Sequence, residues 1–423
     1  MKSPMRLDLL FHGAEKRSRY GRIALRISVV LLTAVLLVDP GDALLHLKIP
    51  VFALVMVLWL LQTPIWEPIL RLNVLIAIFV VSVVLPTLWI LVSLLTAPSL
   101  DLDNLLAYPK AFLFIFLLLV IVNEHIALDL IAVRLSIFIA LLTISLVVLS
   151  MAFPELFIAV YSFASEKEVA IISEGRDQFG IGVGQFYYKT APIMLFGLTF
   201  FLHRWLFRRS RMWDIPLSLL FLVALLFSGA RANVIAAFAA VAVLTIAKVA
   251  RRFGPIAATV LATVLLVVPV ALFSASLLNP SETSNEIKAL HSGSYAEHFE
   301  DHPSYLLLGQ GEGTRFYSRG FQDFTTVTEL SYFELVRQFG IPVTVVFVIF
   351  LLSPMIVLIR NRPFESDYGY LAVGYGAYLL VSATNPLLIS STGMLVVVMV
   401  WARALELQDP AVPARHGAEL TSA

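Results

Sequence analysis

Arginines and carboxylates set at the ends of apolar runs are the groups in this chain that could do chemistry. Arg231 stands in Ser228-Gly229-Ala230-Arg231-Ala232-Asn233, a turn of almost no length between two strongly apolar segments. A guanidinium at such depth costs about 2.5–3.5 kcal/mol at a bilayer centre and less near the interface. It could snorkel to the headgroups. The lack of other basic anchors on that side, and small neighbours that let a ligand approach the backbone, favour an anion-binding role. Arg176 lies in the stretch 174–185, where Gly180, Gly182 and Gly184 permit unusual backbone angles and close approach of a ligand. No strand precedes that stretch and its spacing is not a dinucleotide fingerprint. A loop with Arg176 paired to Glu174 or Asp177 is the competing reading.

A second polar stretch runs through Gly309-Gln310-Gly311-Glu312-Gly313-Thr314-Arg315 to Arg319, and on through Thr328 to Gly340. Glu329, Phe333 and Arg337 fall at i, i+4 and i+8, as do Leu330, Glu334 and Gln338. The spacing predicts a helix that begins at Glu329–Phe333 and lies over or enters a membrane. A solvated amphipathic helix would account for its carboxylates; the functional alternative makes one of them a general base. His298 and His302 are four apart, as zinc ligands on a helix can be, but no H-E-x-x-H motif and no third ligand accompany them. Asp101 and Asp103 form an acidic pair of the kind that can hold a divalent metal, although a short loop needs polar residues in any case. No Ser/His/Asp arrangement stands out.

The elements that must position these groups follow from composition. Of 423 residues, 59% are apolar and 14% charged, with a mean hydropathy of +0.88. Soluble domains run about 45–50% apolar and about 25% charged. This chain has too little polar surface to cover itself in water, so a polytopic membrane protein is expected. Net charge is +1, which gives no global field for nucleic acid. The absence of cysteine removes disulfides, thiolate metal sites and cysteine nucleophiles together.

Twelve apolar runs are long enough to be read as spans, near 24–39, 43–62, 71–96, 107–123, 131–153, 185–203, 214–229, 232–249, 254–275, 340–359, 367–385 and 387–405. The runs are continuous rather than alternating, so they read as helices and not as barrel strands. The first follows a long basic leader and precedes Asp39-Pro40-Gly41-Asp42, which is not a small-residue cleavage site. With both termini placed in the cytoplasm, 20 of the 30 basic residues fall inside. The expectation is one all-α membrane domain over 1–423 with two long external loops, 154–184 and a partly helical 276–339. The tail from Gln408 is polar and short. No Walker-type or dinucleotide motif is present.

With these residues laid out, the chain resembles the O-antigen ligase and polysaccharide polymerase superfamily of bacterial envelopes. The resemblance covers about the C-terminal 60% of the chain, from Arg176 onward. It rests on Gly175-Arg176, on Ser228 to Arg231 at the head of a span, and on Gly309 and Gly311 in a large external loop. It continues in the Tyr332-Phe333-Glu334-Leu335 helix running to Phe339-Gly340, and in Asn385-Pro386 between the last spans. Membership would imply a multi-pass, metal-independent, inverting glycosyltransferase of the bacterial inner membrane with no cofactor, its active site facing the periplasm. Its donor would be an undecaprenyl diphosphate-linked oligosaccharide, and its acceptor a glycan or lipid A-core. Membrane lipid and other polysaccharide-assembly proteins would be its partners, and nucleic acid would not.

The resemblance implies that Arg231 and Arg176 hold the donor diphosphate, and that Arg315, Arg319, Gly309, Gly311, Tyr332 and Gln185 line the substrate site. Relatives carry Ser-Gly-Ser-Arg where this chain has Ala230, and His-Asn where it has Glu329-Leu330. Glu329 would therefore replace the usual histidine base, or His302 would. Polymerase and ligase share this chemistry. A secondary transporter or lipid flippase is the alternative of another class, and it predicts ionisable residues and broken helices at the midplane.

Overall fold

The computed structural model describes residues 19–62, 72–96, 105–167, 170–172, 186–208, 210–265, 283–360 and 368–408. Each of the apolar runs contains helix. A hairpin of α1 (Arg19–Val38) and α2 (Lys48–Gln62) comes first. Its turn is organised by buried Asp39, whose carboxylate accepts from the backbone N–H groups of Ala43, Leu44 and Leu45 at 2.8–3.0 Å. The last carbonyls of α1, which have no partner inside the helix, are taken up from a distance. Leu37 accepts from Tyr188 Oη and Thr190 Oγ1 at 2.8 Å, and Leu36 accepts from Thr392 Oγ1 at 3.0 Å.

The rod α3 consists of Leu72–Phe79 and Leu85–Thr96 joined through a π-helical turn, Val80–Val84. Pro86 supplies the reason: its ring would strike the carbonyl four residues back, at Ser82, in a regular helix. Then come α4 (Ala107–Asn123), α5 (Leu128–Ala152) and α6 (Pro154–Glu166). The first expected external loop thus opens as a helix, with Pro154 in its first turn where the missing N–H costs nothing. A short antiparallel pair, β1 (Ala170–Ile172) and β2 (Phe186–Tyr188), follows with Ala170 opposite Tyr188. Helix therefore begins at Ala191 in the run expected from 185.

Next are α7 (Ala191–Phe207), α8 (Asp214–Leu226), α9 (Arg231–Phe253) and α10 (Pro255–Leu265). The large loop contributes α11 (Thr283–Asp301), α12 (Tyr305–Leu308) and the hairpin of β3 (Phe316–Ser318) with β4 (Asp323–Thr325). The chain closes with α13 (Ser331–Arg360), α14 (Gly369–Ser382) and α15 (Ser391–Gln408). The last helix starts four residues later than the expected 387, because Leu387 to Ser390 turn instead.

Along α7 every residue from Met194 to His203 is buried, as are most of α14 and α15, so these three form the centre of the bundle. Large apolar side chains on α1, α2, α3, α5, α8 and α13 point outward, as they do in lipid. Among the described residues five helices are long and apolar enough to cross a membrane, and six shorter apolar ones accompany them. The fold is that of an all-α membrane protein.

Polar contacts sort the helix ends into two groups. At one end Arg204 pairs with Asp214, and Arg403 bonds both Asp129, at 2.6 Å, and Glu406, while Tyr370 donates to Asp129. At the other end meet the α1–α2 turn, the α3 and α4 termini, the head of α9, the large loop and the α14–α15 turn. The second end carries the candidate site.

Candidate functional site

Helix α11 is the spine of this end. Its buried face is polar: Asn285, Lys288, His291, Ser294 with Tyr295, and His298 recur at three- to four-residue spacing. Each reaches a different piece of the chain. Arg231, 8% exposed at the first position of α9, donates to Asn285 Oδ1 at 2.9 Å. Lys288 lies 3.8 Å from the Glu329 carboxylate. His291 Nδ1 is 2.7 Å from Ser318 Oγ, and Ser294 Oγ accepts from the Arg319 N–H at 2.9 Å. Tyr295 Oη donates to Glu334 and contacts Thr328 Oγ1 at 2.7 Å; His298 Nε2 meets Gln310 Oε1 at 3.1 Å.

Beneath that spine Arg337 is fully enclosed. Its guanidinium donates to both oxygens of Glu334, to Gln310, to the carbonyl and hydroxyl of Thr314 at 3.1 and 3.0 Å, and to Thr326 O at 2.7 Å. Its flat face covers the Phe316 ring at 4.7 Å. Gln338 adds a bond to Glu334 and one to Tyr108 Oη at 3.2 Å. A buried charge survives only when paired and hydrogen-bonded, and here every side of the pair is filled.

Electrostatics follow burial. Desolvation lowers the His291 imidazole, opposed by Glu329, while desolvation and nearby Arg337 push His298 down to about 4. Both are neutral rings above mildly acidic pH. Desolvation first, and then the Glu334 carboxylate, hold the Tyr295 phenol far above its ordinary value.

The glycines of the loop are spent on packing. A Cβ at Gly309 (φ +74°) would fall 2.2 Å from Gln338 O, and one at Gly311 (φ +101°) 2.4 Å from Ser93 Oγ. The chain here is threaded between α3 and the break in α13, where Gly340 has φ +74° and its Cβ would fall 2.4 Å from Leu307 O. Backbone bonds from Gln310 N to Arg337 O (2.7 Å) and from Gly311 N to Gln338 O (3.1 Å) zip it shut, and Trp89 Nε1 donates to Leu308 O.

The site residues expected from sequence meet this arrangement unevenly. Arg176 and Gln185, like Asp101 and Asp103, lie outside the described residues. Arg231 is at the head of a span as expected. Arg319 is paired with Glu297 at 2.5 Å, and Arg315 is exposed on the same strand-bearing loop. Asn285 and Glu297 are twelve residues apart on α11, so Arg231 and Arg319 meet that helix about 18 Å apart along its axis. Tyr332 Oη donates to Leu379 O at 3.3 Å, and Ser331 Oγ donates to Asn385 O at 2.7 Å, which ties the helix to the Asn385-Pro386 turn.

Two expectations are corrected. Helix α13 begins at Ser331, so Glu329 precedes it rather than sharing its face with Phe333 and Arg337. Its partner is Lys288, 41 residues upstream, which sequence proximity could not show. The solvated-helix reading also fails for Glu334, which is 2% exposed and filled by Arg337, Gln338 and Tyr295.

Sequence reasoning passed over His291, Glu312 and the depth of Arg337. His291 is 0% exposed, and its Nε2 has no hydrogen-bond partner among the described residues. Held by Ser318 and neighbouring Glu329, it is a neutral imidazole able to take a proton. His298 and His302 rings are 5.6 Å apart, centre to centre, and among the described residues no three His, Asp or Glu side chains converge on a metal position.

No protein-family model matches the chain, and no curated protein is similar to it.

Proposed function

We propose that the chain is a twelve-span glycosyltransferase of the bacterial inner membrane, with both termini cytoplasmic. In this reading it acts on undecaprenyl diphosphate-linked glycans at the periplasmic face and polymerises repeat units of a surface polysaccharide. One observation carries the proposal. Ser228–Arg231, the Gly309–Gly311 loop, the Tyr332–Gly340 helix and Asn385-Pro386 are scattered over 159 residues. They are linked through α11: Arg231 bonds to its Asn285, Gln310 to its His298 and Glu334 to its Tyr295, while Ser331 bonds to Asn385.

The chemistry suits such a reaction. A diphosphate leaving an anomeric carbon gains negative charge on its phosphate oxygens. A guanidinium meets that geometry with two parallel hydrogen bonds and stays charged without a metal. Arg231 supports the reading by standing at the first turn of α9, where backbone N–H groups also favour an anion. A base at Glu329 removes the acceptor hydroxyl proton, and a single displacement inverts the anomeric centre.

Deleting the gene and resolving surface glycans on gels tests the proposal. Loss of long chains with one repeat still attached to core is the expected result. Loss of all attachment makes the protein a ligase moving glycan to lipid A-core. Unchanged glycans, or no transfer by the purified protein from a lipid-linked donor, overturn the enzyme reading in favour of a transporter or flippase.

A further inference from the structure

Glu312 is the least explained group in the described chain. It sits between Gly311 and Gly313, both at positive φ, and is 0% exposed. Neither carboxyl oxygen has a hydrogen-bond partner among the described residues. Every nearby polar side chain of the loop is otherwise engaged: Gln310 and Thr314 with Arg337, and Gln338 with Glu334 and Tyr108. A carboxyl in such a place is tolerated only without charge.

We propose that the Gly309–Thr314 loop is a proton-latched lid: it lies shut over Arg337 while Glu312 carries its proton, and lifts as that carboxyl ionises into water. The geometry shows what holds it down. Two backbone bonds to Arg337 O and Gln338 O, three from the Arg337 guanidinium, and the contact of Gly311 with Ser93 make the closed state. Lifting breaks these together and leaves Arg337 with Glu334 and Thr326 O, its other donors turned to solvent.

Burial alone pushes the Glu312 carboxyl up to about 9 in the closed state, against about 4.3 in water. Closing therefore takes up a proton between those two values. There the open-to-closed ratio rises about tenfold per pH unit, and it is flat outside them. The other titratable groups against the lid are Tyr108 from α4, Glu334 and Arg337 from α13, and His298 from α11. His298 changes charge near 4, and a phenol ordinarily near 10. Glu334 and Arg337 are tied to each other. A window of about pH 5.5–8 lies between the two Glu312 values, and the Glu312→Gln variant separates its titration from that of other groups. The inference stands apart from glycosyl transfer and needs no substrate.

Hydrogen exchange of the full chain in lipid nanodiscs tests it, with the Gln310 and Gly311 amides as reporters because both are bonded only when the lid is shut. Amide exchange chemistry itself speeds about tenfold per pH unit. The native lid is expected to speed about a hundredfold per pH unit, and interior α11 amides only about tenfold per pH unit. Glu312→Gln, which copies the neutral acid, should bring the reporters back to tenfold, and so should Glu312→Leu if the glutamine variant folds poorly. A tenfold slope in the native protein, or a hundredfold slope retained in either variant, overturns the proposal.

Discussion

Arg337 and Glu334, three residues apart on one helix, face each other with the guanidinium fully enclosed and the carboxylate 2% exposed. They hold α11, α13 and the glycine loop in one body, because Tyr295, Gln310, Thr314 and Gln338 all bond to one or the other.

Removing one partner of such a pair leaves a buried charge unpaired, which costs about 3–5 kcal/mol. Arg337→Met is therefore expected to lower the thermal unfolding midpoint of the purified protein sharply. Glu334→Gln keeps an acceptor for Tyr295 but leaves the enclosed Arg337 without its counter-charge, so it should also cost about 3–5 kcal/mol. Fluorescence-monitored melting in detergent reads both; unchanged melting of Arg337→Met would show that the pair holds nothing.

Arg231→Lys should be nearly as inactive as Arg231→Ala in a purified transfer assay, because lysine keeps the charge but loses the two-pronged bond. Loss of one such contact in the transition state costs about 2.7–4 kcal/mol, or about 10²–10³ in rate. Full activity of the lysine variant would reduce Arg231 to a point charge.

Glu329→Gln keeps size and hydrogen bonding but cannot accept a proton. It should retain donor binding, measured by protection of a lipid diphosphate, and lose transfer by about 10²–10⁴. Equal turnover would move the base to His291, whose Nε2 has no hydrogen bond among the described residues; Glu334 is filled and Asp323 is exposed on β4.

Alanine at Gly309 or Gly340 meets backbone at 2.2 and 2.4 Å and requires a left-handed φ. Each substitution is expected to cost about 1–3 kcal/mol. Alanine at Gly293, in the interior of α11 with nothing described within 4 Å, should instead stabilise by about 0.5–1 kcal/mol in the same melting experiment.

The apolar runs were legible because lipid-facing and core-facing positions alike demand apolar side chains, so composition alone marks them. Helix α11 was not, because its buried face is His291, Ser294 and Tyr295, flanked by half-buried His298, and no hydrophobic period betrays a polar interior. The i, i+4 relation of Glu334 and Gln338 was visible and is real, since the two side chains bond. Their burial was hidden, because it depends on glycines about 25 residues away that admit backbone. Gly309 and Gly311 did mark close approach, but what approaches is the chain's own Gln338 and Ser93.

The π-turn at Val80–Val84 has a consequence for where α3 aims its outer half. A π-turn is a helix carrying one residue more than its α-helical span would hold. Every side chain beyond it is phased about 100° around the axis from where an uninterrupted helix would put it. Trp89 and Ser93, the two residues on which Leu308 and Gly311 rest, owe their bearing to that single extra residue. Pro86, whose ring disfavours the uninterrupted helix, thereby helps set the compass direction of the seat under the loop.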